Sequence, residues 1–274
     1  MSLIFLDIYE AYSHPNKSLK HHIKEIITIS KSLYKLGYRF DIHFLKSLAI
    51  YHDIGKCYYL WQKYNLQNNK HIIKHSGLSA FLAYLLLKKN KSKLKRILKI
   101  PNINLKEEEL QYLLYFILVH HSGLKKLEAN DIEAKFNLGS PFENNINQVE
   151  DLVKTGLSNW NEFEEFKKYI LSFNPTNFEL NNRYLDTYTA FKISDLLSGS
   201  FHRNLKKLEA LMLLYKFGVT DIDFELNEEK LRKLLIKISN KIDENRLKDQ
   251  VLFLNSNINL LLAPTGFGKT TLSI

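Results

Sequence analysis

Apolar residues recur along most of this chain at the i, i+3, i+4, i+7 spacing of a helix face. Leu19, His22, Ile23, Ile26, Ile27, Leu33 and Leu36 form one such stripe, and Gly37 supplies a stop. A second helix is predicted from about Asp41 to Ile54, with Leu45, Leu48, Ala49 and His52 on its stripe and Gly55 at its end. A third starts near His71 and carries Leu78, Phe81, Leu82, Leu85 and Leu86. A fourth begins near Glu107-Glu108-Glu109, acids that suit the positive end of a helix, and ends near His121 before Gly123. From about Phe136 to Asn182 the chain is richer in Asn, Pro and Ser and predicts loops with short helices. Helical patterning returns over Arg183 to Ser200 and Asn227 to Ile242. Alternating strand patterns are scarce, so the body is predicted to be all-α.

The tail changes character. Val251 to Leu254 and Ile258 to Leu262 are short apolar runs of strand type, and Ala263 to Thr270 follows with the residues of a phosphate loop. In such a loop the backbone around Gly266 and Gly268 cradles phosphates, Lys269 reaches them, and Thr270 takes Mg²⁺. The expected organisation is a helical domain over 1–215, a helical connector over 216–245, and the truncated start of an α/β domain over 246–274. An ATPase needs further acidic and arginine motifs, so ATP turnover is not expected from this stretch alone.

Composition narrows the classes. The 274 residues are 45% hydrophobic and 25% charged, ordinary for a globular protein with a real core. Cys57 is the single cysteine, which excludes a disulfide framework and a cysteine-based zinc site. With no leader pattern and no long apolar run, the expectation is a cytoplasmic protein without a membrane span. A net charge of +10 invites a polyanionic partner, although an AT-rich coding bias toward Lys, Asn and Ile would raise it too. Lys88, Lys89, Lys91, Lys93, Lys95, Arg96 and Lys99 form a basic run that suits either a solvated face or a phosphate backbone. Tyr58, Tyr59, Trp61 and Tyr64 have two readings as well, stacking bases or packing in the core.

The candidate chemistry lies on the helices. His22 is on the first apolar stripe, His52-Asp53 closes the second helix, and His75 falls in the first turns of the third. His120-His121 end the fourth helix, and Asp195 sits in the late one. A polar side chain among apolar neighbours is costly to bury unless something pairs with it. A divalent metal takes neutral imidazole and carboxylate together. A lone histidine on an apolar face is more often a hydrogen-bonded core residue. The order His, His-Asp, His, His-His, Asp points instead to a shared metal site. His14, His21, His43, His71 and His202 do not fit this order and are assigned to surface or packing roles; His21 differs from His22 only by helix phase.

That order resembles the HD phosphohydrolase superfamily. Leu19-x-x-His22-Ile23, Tyr51-His52-Asp53-Ile54-Gly55-Lys56, Trp61-Gln62, His75-x-x-x-Ser79-Ala80 and Val119-His120-His121-x-Gly123 resemble the HD nuclease domain of the type I CRISPR-associated nuclease–helicase. Leu260 to Thr270 resembles the first ATPase motif of a superfamily 2 helicase, the domain that follows the nuclease in fused members. The resemblance implies an HD-domain helical bundle. It also implies one metal on His22, His52, Asp53 and Asp195 and another on Asp53, His75, His120 and His121, with Asp53 as the bridge. Lys56 matches the family lysine over the scissile phosphate. The family's His-His-Gly is here His120-His121-Ser122-Gly123, and Asp186 is a nearby substitute for Asp195.

The implied reaction is metal-dependent hydrolysis of single-stranded DNA, with an RNA-guided CRISPR surveillance complex and the remaining helicase domain as partners. Mixed His and carboxylate ligation suits Mn²⁺, Fe²⁺, Co²⁺ or Ni²⁺, while Mg-ATP belongs only to a complete helicase domain. Two other functions compete. An HD enzyme acting on nucleotides or cyclic dinucleotides would use the same metal logic, but the helicase-like tail argues against it. An inactive DNA-binding or docking module would carry a vestigial site, and the complete ligand order argues against that.

Overall fold

The computed structural model describes residues 4–35, 38–67, 73–101, 103–122, 124–136, 148–173 and 182–203. All but the last turn of the final helix belong to one compact unit, Met1–Gly199. The predicted boundary at 215, the connector, the helix over 227–242 and the phosphate loop with Gly266, Gly268, Lys269 and Thr270 lie outside the described residues.

The described body is helical, as the periodicity predicts. A short hairpin that the sequence reading missed comes first, β1 (Tyr12–His14) against β2 (Lys17–Ser18), with Asn16 taking the positive φ of the turn. Helix α1 (Leu19–Lys35) starts where Ser18 Oγ accepts the His21 amide, and it buries Leu19, Ile23, Ile26 and Leu33. Asp41 caps α2 (Ile42–Tyr51) by accepting the amides of His43 and Phe44 at 2.9 and 3.0 Å.

The second helix ends earlier than Ile54. Tyr51 is its last residue, Asp53 leaves helical geometry at φ −114° and ψ 6°, and Ile54–Cys57 form a 3-10 turn. A short helix α3 (Tyr59–Trp61) runs on into a π turn over Gln62–Gln67. The third helix also begins later than predicted. It is α4 (Ser76–Leu87), with His75 before its first turn rather than inside it, while His71 lies outside the described residues.

Helix α5 (Ser92–Leu98) carries Lys93, Lys95 and Arg96 of the basic run, and α6 (Glu107–Val119) starts on the predicted acids. Between Phe136 and Asn182 the described residues form α8 (Gln148–Lys154) and α9 (Trp160–Leu171), after α7 (Ala129–Glu133). Helix α10 (Asn182–Arg203) closes the described chain. The core centres on α4 and α6, which are buried on nearly every face and are accordingly apolar all round. No helix among the described residues is long and apolar enough to cross a membrane.

Candidate metal centre

The breaks in these helices place the polar residues. Gly55 packs against the start of α4, donating its amide to Ser79 Oγ at 2.8 Å, which sets the 3-10 turn beside His75. A β-carbon at Gly55 would stand 2.5 Å from the His75 carbonyl oxygen, so only glycine fits. At the end of α6, Lys192 on α10 donates to the His120 carbonyl, and Ser122 closes the turn with its amide 2.7 Å from the Val119 oxygen. A cation at this helix end also suits the dipole. The inserted serine thus leaves the turn closed, while Gly123 lies outside the described residues.

Seven residues distant in sequence converge. His22 Nε2 lies 3.4 Å from Asp53 Oδ2 and 3.2 Å from Asp195 Oδ1. His52 Nε2 lies 3.2 and 3.5 Å from the same two oxygens. On the other side of Asp53, Oδ1 stands 2.8 Å from His75 Nε2 and 3.8 Å from His120 Nε2. His75 Nε2 in turn lies 3.0 Å from His121 Nε2 and 3.3 Å from His120 Nε2. Two candidate metal groups result, His22-His52-Asp53 and Asp53-His75-His120-His121, with donor atoms in each within 4.8 Å of one another. Asp53 belongs to both, and Asp195 adjoins the first through both histidines.

Ring orientation decides what this cluster can hold. His52 Nδ1 donates to the Ala49 carbonyl at 3.0 Å and His120 Nδ1 to the Ile117 carbonyl at 2.6 Å. A carbonyl only accepts, so each Nδ1 carries a proton, and each Nε2 offers a lone pair to the centre once its ring is neutral. The Nε2 atoms of His22 and His52 and both Asp53 oxygens are buried without a well-formed hydrogen bond. His75 Nε2 faces Asp53 Oδ1, His120 Nε2 and His121 Nε2 at once and carries at most one proton to share among them. A convergence of buried acceptors is what a bound cation satisfies, and imidazole nitrogens with carboxylates fit a divalent transition metal.

Among the described residues the ammonium in the cluster is that of Lys56, whose Nζ meets Asp53 Oδ2 at 2.7 Å and the Ser13 carbonyl at 3.3 Å. Trp61 is buried, with its ring beneath Lys56 and edge-on to His75. Electrostatics divides the two halves. Burial would raise the carboxyls of Asp53 and Asp195, but His52, Lys56 and His75 around the former and His22 and His52 against the latter hold both well below the usual range. Burial disfavours the His52 imidazolium too, yet Asp53 and Asp195 outweigh it and push its pKa up to about 9. His75 and His120 go the other way, lowered by burial, with Lys56 adding to the first and His121 to the second.

The structure brings together His22, His52, Asp53, Lys56, His75, His120, His121 and Asp195, the sequence-selected set. Of these, His121 is solvent-exposed and marks the open side. Asp186 is not a substitute for Asp195, because it faces solvent on the opposite side of α10. His21 is likewise 63% exposed and points away from the centre, so helix phase separates it from His22. His14, assigned to a surface or packing role, sits instead with its ring 5.1 Å from that of His22. Only the hairpin brings it there, and nothing in its sequence neighbourhood signals this.

The basic run begins away from His75. His75 precedes α4 and Lys88 follows it, and a helix of 12 residues separates them by roughly 18 Å. The run also meets acids from elsewhere in the chain: Lys88 with Glu107, Lys89 with Glu165, Lys91 with Glu162, and Lys99 with Asp7. Of the aromatics after Lys56, Tyr58 and Trp61 are buried in packing and Tyr59 is exposed.

No family model matches this chain, and no curated protein matches it. Among solved structures it is similar to the CRISPR-associated Cas3 HD domain protein from Methanocaldococcus jannaschii. The two are 19% identical, the match covers 68% of this chain and 96% of that one, and the TM-score is 0.35.

Proposed function

We propose that this chain is a metal-dependent phosphodiesterase that cleaves single-stranded DNA. The observation that supports it most is the pair of candidate ligand groups sharing Asp53, in which the Nε2 atoms of His22 and His52 and both Asp53 oxygens are buried without a well-formed hydrogen bond. In this reading His22, His52, Asp53 and Asp195 hold one divalent ion, and Asp53, His75, His120 and His121 hold a second. Bound ions would supply an activated water and charge neutralisation for an in-line phosphoryl displacement.

The chain's own groups do the rest. Backbone carbonyls at Ala49 and Ile117 keep the His52 and His120 rings in register. Lys56, held between Asp53 and Ser13, offers an ammonium to charge developing on phosphate oxygens. Trp61 is buried beside Lys56 and His75, and exposed His121 leaves its own side of the centre open to substrate.

DNA as substrate rests on the sequence resemblance, as do recruitment by an RNA-guided CRISPR complex and continuation into a helicase. The test is elemental analysis and cleavage assays with added Mn²⁺. Two transition-metal ions per chain and metal-dependent cutting of single-stranded DNA are expected, lost in Asp53→Ala. Release of phosphate from mononucleotides without DNA cleavage would select the nucleotide-hydrolase function instead, and no bound metal would overturn both.

A further inference from the structure

His22 is oriented differently from the other inner histidines. His52 and His120 donate to backbone carbonyls of their own helices, but His22 Nδ1 lies 2.7 Å from Ser198 Oγ, on α10. Ser198 Oγ lies 2.6 Å from Glu25 Oε2. Lys17 Nζ meets the same carboxylate oxygen at 2.6 Å and the Ser198 carbonyl at 2.7 Å. Ser198, Lys17 and His22 are all buried.

The direction of these bonds follows from elementary chemistry. A carboxylate paired with a lysine is ionised and only accepts, so the hydroxyl proton of Ser198 points to Glu25. Ser198 Oγ then presents a lone pair to His22, whose Nδ1 must carry its proton. The Nε2 lone pair is thereby turned on Asp53 and Asp195. The chain of contacts also joins the hairpin, α1 and α10, the three elements that bring His22 and Asp195 to one side of Asp53.

We infer that Ser198 and Glu25 are positioning residues for the His22 half of the centre, fixing the His22 tautomer through a His22–Ser198–Glu25 relay anchored by Lys17. This rests on the metal reading above for its consequence, though not for its geometry. The relay predicts an asymmetry: its loss weakens the ion on His22, His52, Asp53 and Asp195 and spares the one on His75, His120 and His121.

The test is Mn²⁺ titration of the wild type, Ser198→Ala, Glu25→Ala and Glu25→Gln, with nitrogen NMR of the His22 ring in metal-free protein at alkaline pH. Ser198→Ala and Glu25→Ala should lose about 10- to 100-fold in affinity at one of two sites and release the Nδ1–H form. Glu25→Gln keeps an acceptor for Ser198 and should retain that form. Unchanged affinities at both sites with the Nδ1–H form intact in Ser198→Ala would overturn the relay. A wild type that binds no Mn²⁺ would overturn the metal reading, and the ring signature of the variants would still decide the relay.

Discussion

Gly55 and His75 touch backbone to backbone: a β-carbon on the glycine would lie 2.5 Å from the histidine's carbonyl oxygen. This contact lets the turn after Asp53 lie against the start of α4, so that Oδ1 of Asp53 reaches His75 Nε2 at 2.8 Å. Gly55→Ala must therefore push the two segments apart. Expected are a loss of about 1–3 kcal/mol in denaturant unfolding, the range for overpacking, and weaker Mn²⁺ binding. Wild-type stability in Gly55→Ala would show that the contact is not tight.

His52 makes metal binding pH-dependent. Its pKa in the metal-free protein is pushed up from 6.5 to about 9, so at neutral pH an ion must displace a proton from it. Metal affinity should rise by about tenfold per pH unit toward pH 9 and level off above it. The metal-free protein behaves oppositely. A raised folded pKa contributes stability that is complete below 6.5 and is lost as pH rises through about 9. Calorimetric titrations between pH 6 and 9.5, about the span of this shift, check the first point, and a flat profile would contradict it.

Lys56 should separate metal binding from chemistry. It contacts Asp53 as a cation and cannot ligate a metal while charged. Lys56→Met should retain both ions and reduce single-stranded DNA turnover by about 10²–10³-fold, the usual cost of removing one charge-stabilising donor. Loss of the ions together with the activity would assign the lysine a structural role.

Charge reversal at Lys93 and Lys95 should leave cleavage of a short oligonucleotide unchanged. The run that holds them begins beyond the far end of α4 from His75, and Lys89 and Lys91 within it are engaged by Glu165 and Glu162. A fall in turnover on a substrate a few nucleotides long would place substrate on that face.

Periodicity, capping acids and stop glycines are local properties, and they made α1, α2, α4, α6 and α10 legible in the sequence to within a few residues. The order of histidines and aspartates was equally legible, because a polar residue on an apolar stripe needs a partner wherever the chain goes. Local patterning could not show where a helix breaks to aim a side chain. The departure at Asp53 and the late start of α4 after His75 follow from the Gly55–Ser79 packing between segments 24 residues apart. The apolar stripe already separated His22 from His21, but patterning left Asp186 beside Asp195 as an alternative, and only the packed face of α10 decides which of those two turns inward. The basic run shows the same limit in charge: its acids come from α6, α9 and the N-terminal segment, so folding alone brought them to it. The sequence by itself determined which residue types must be satisfied together. Tertiary structure decided that they meet around Asp53, because long-range packing sets the distances over which metal-ligand chemistry works.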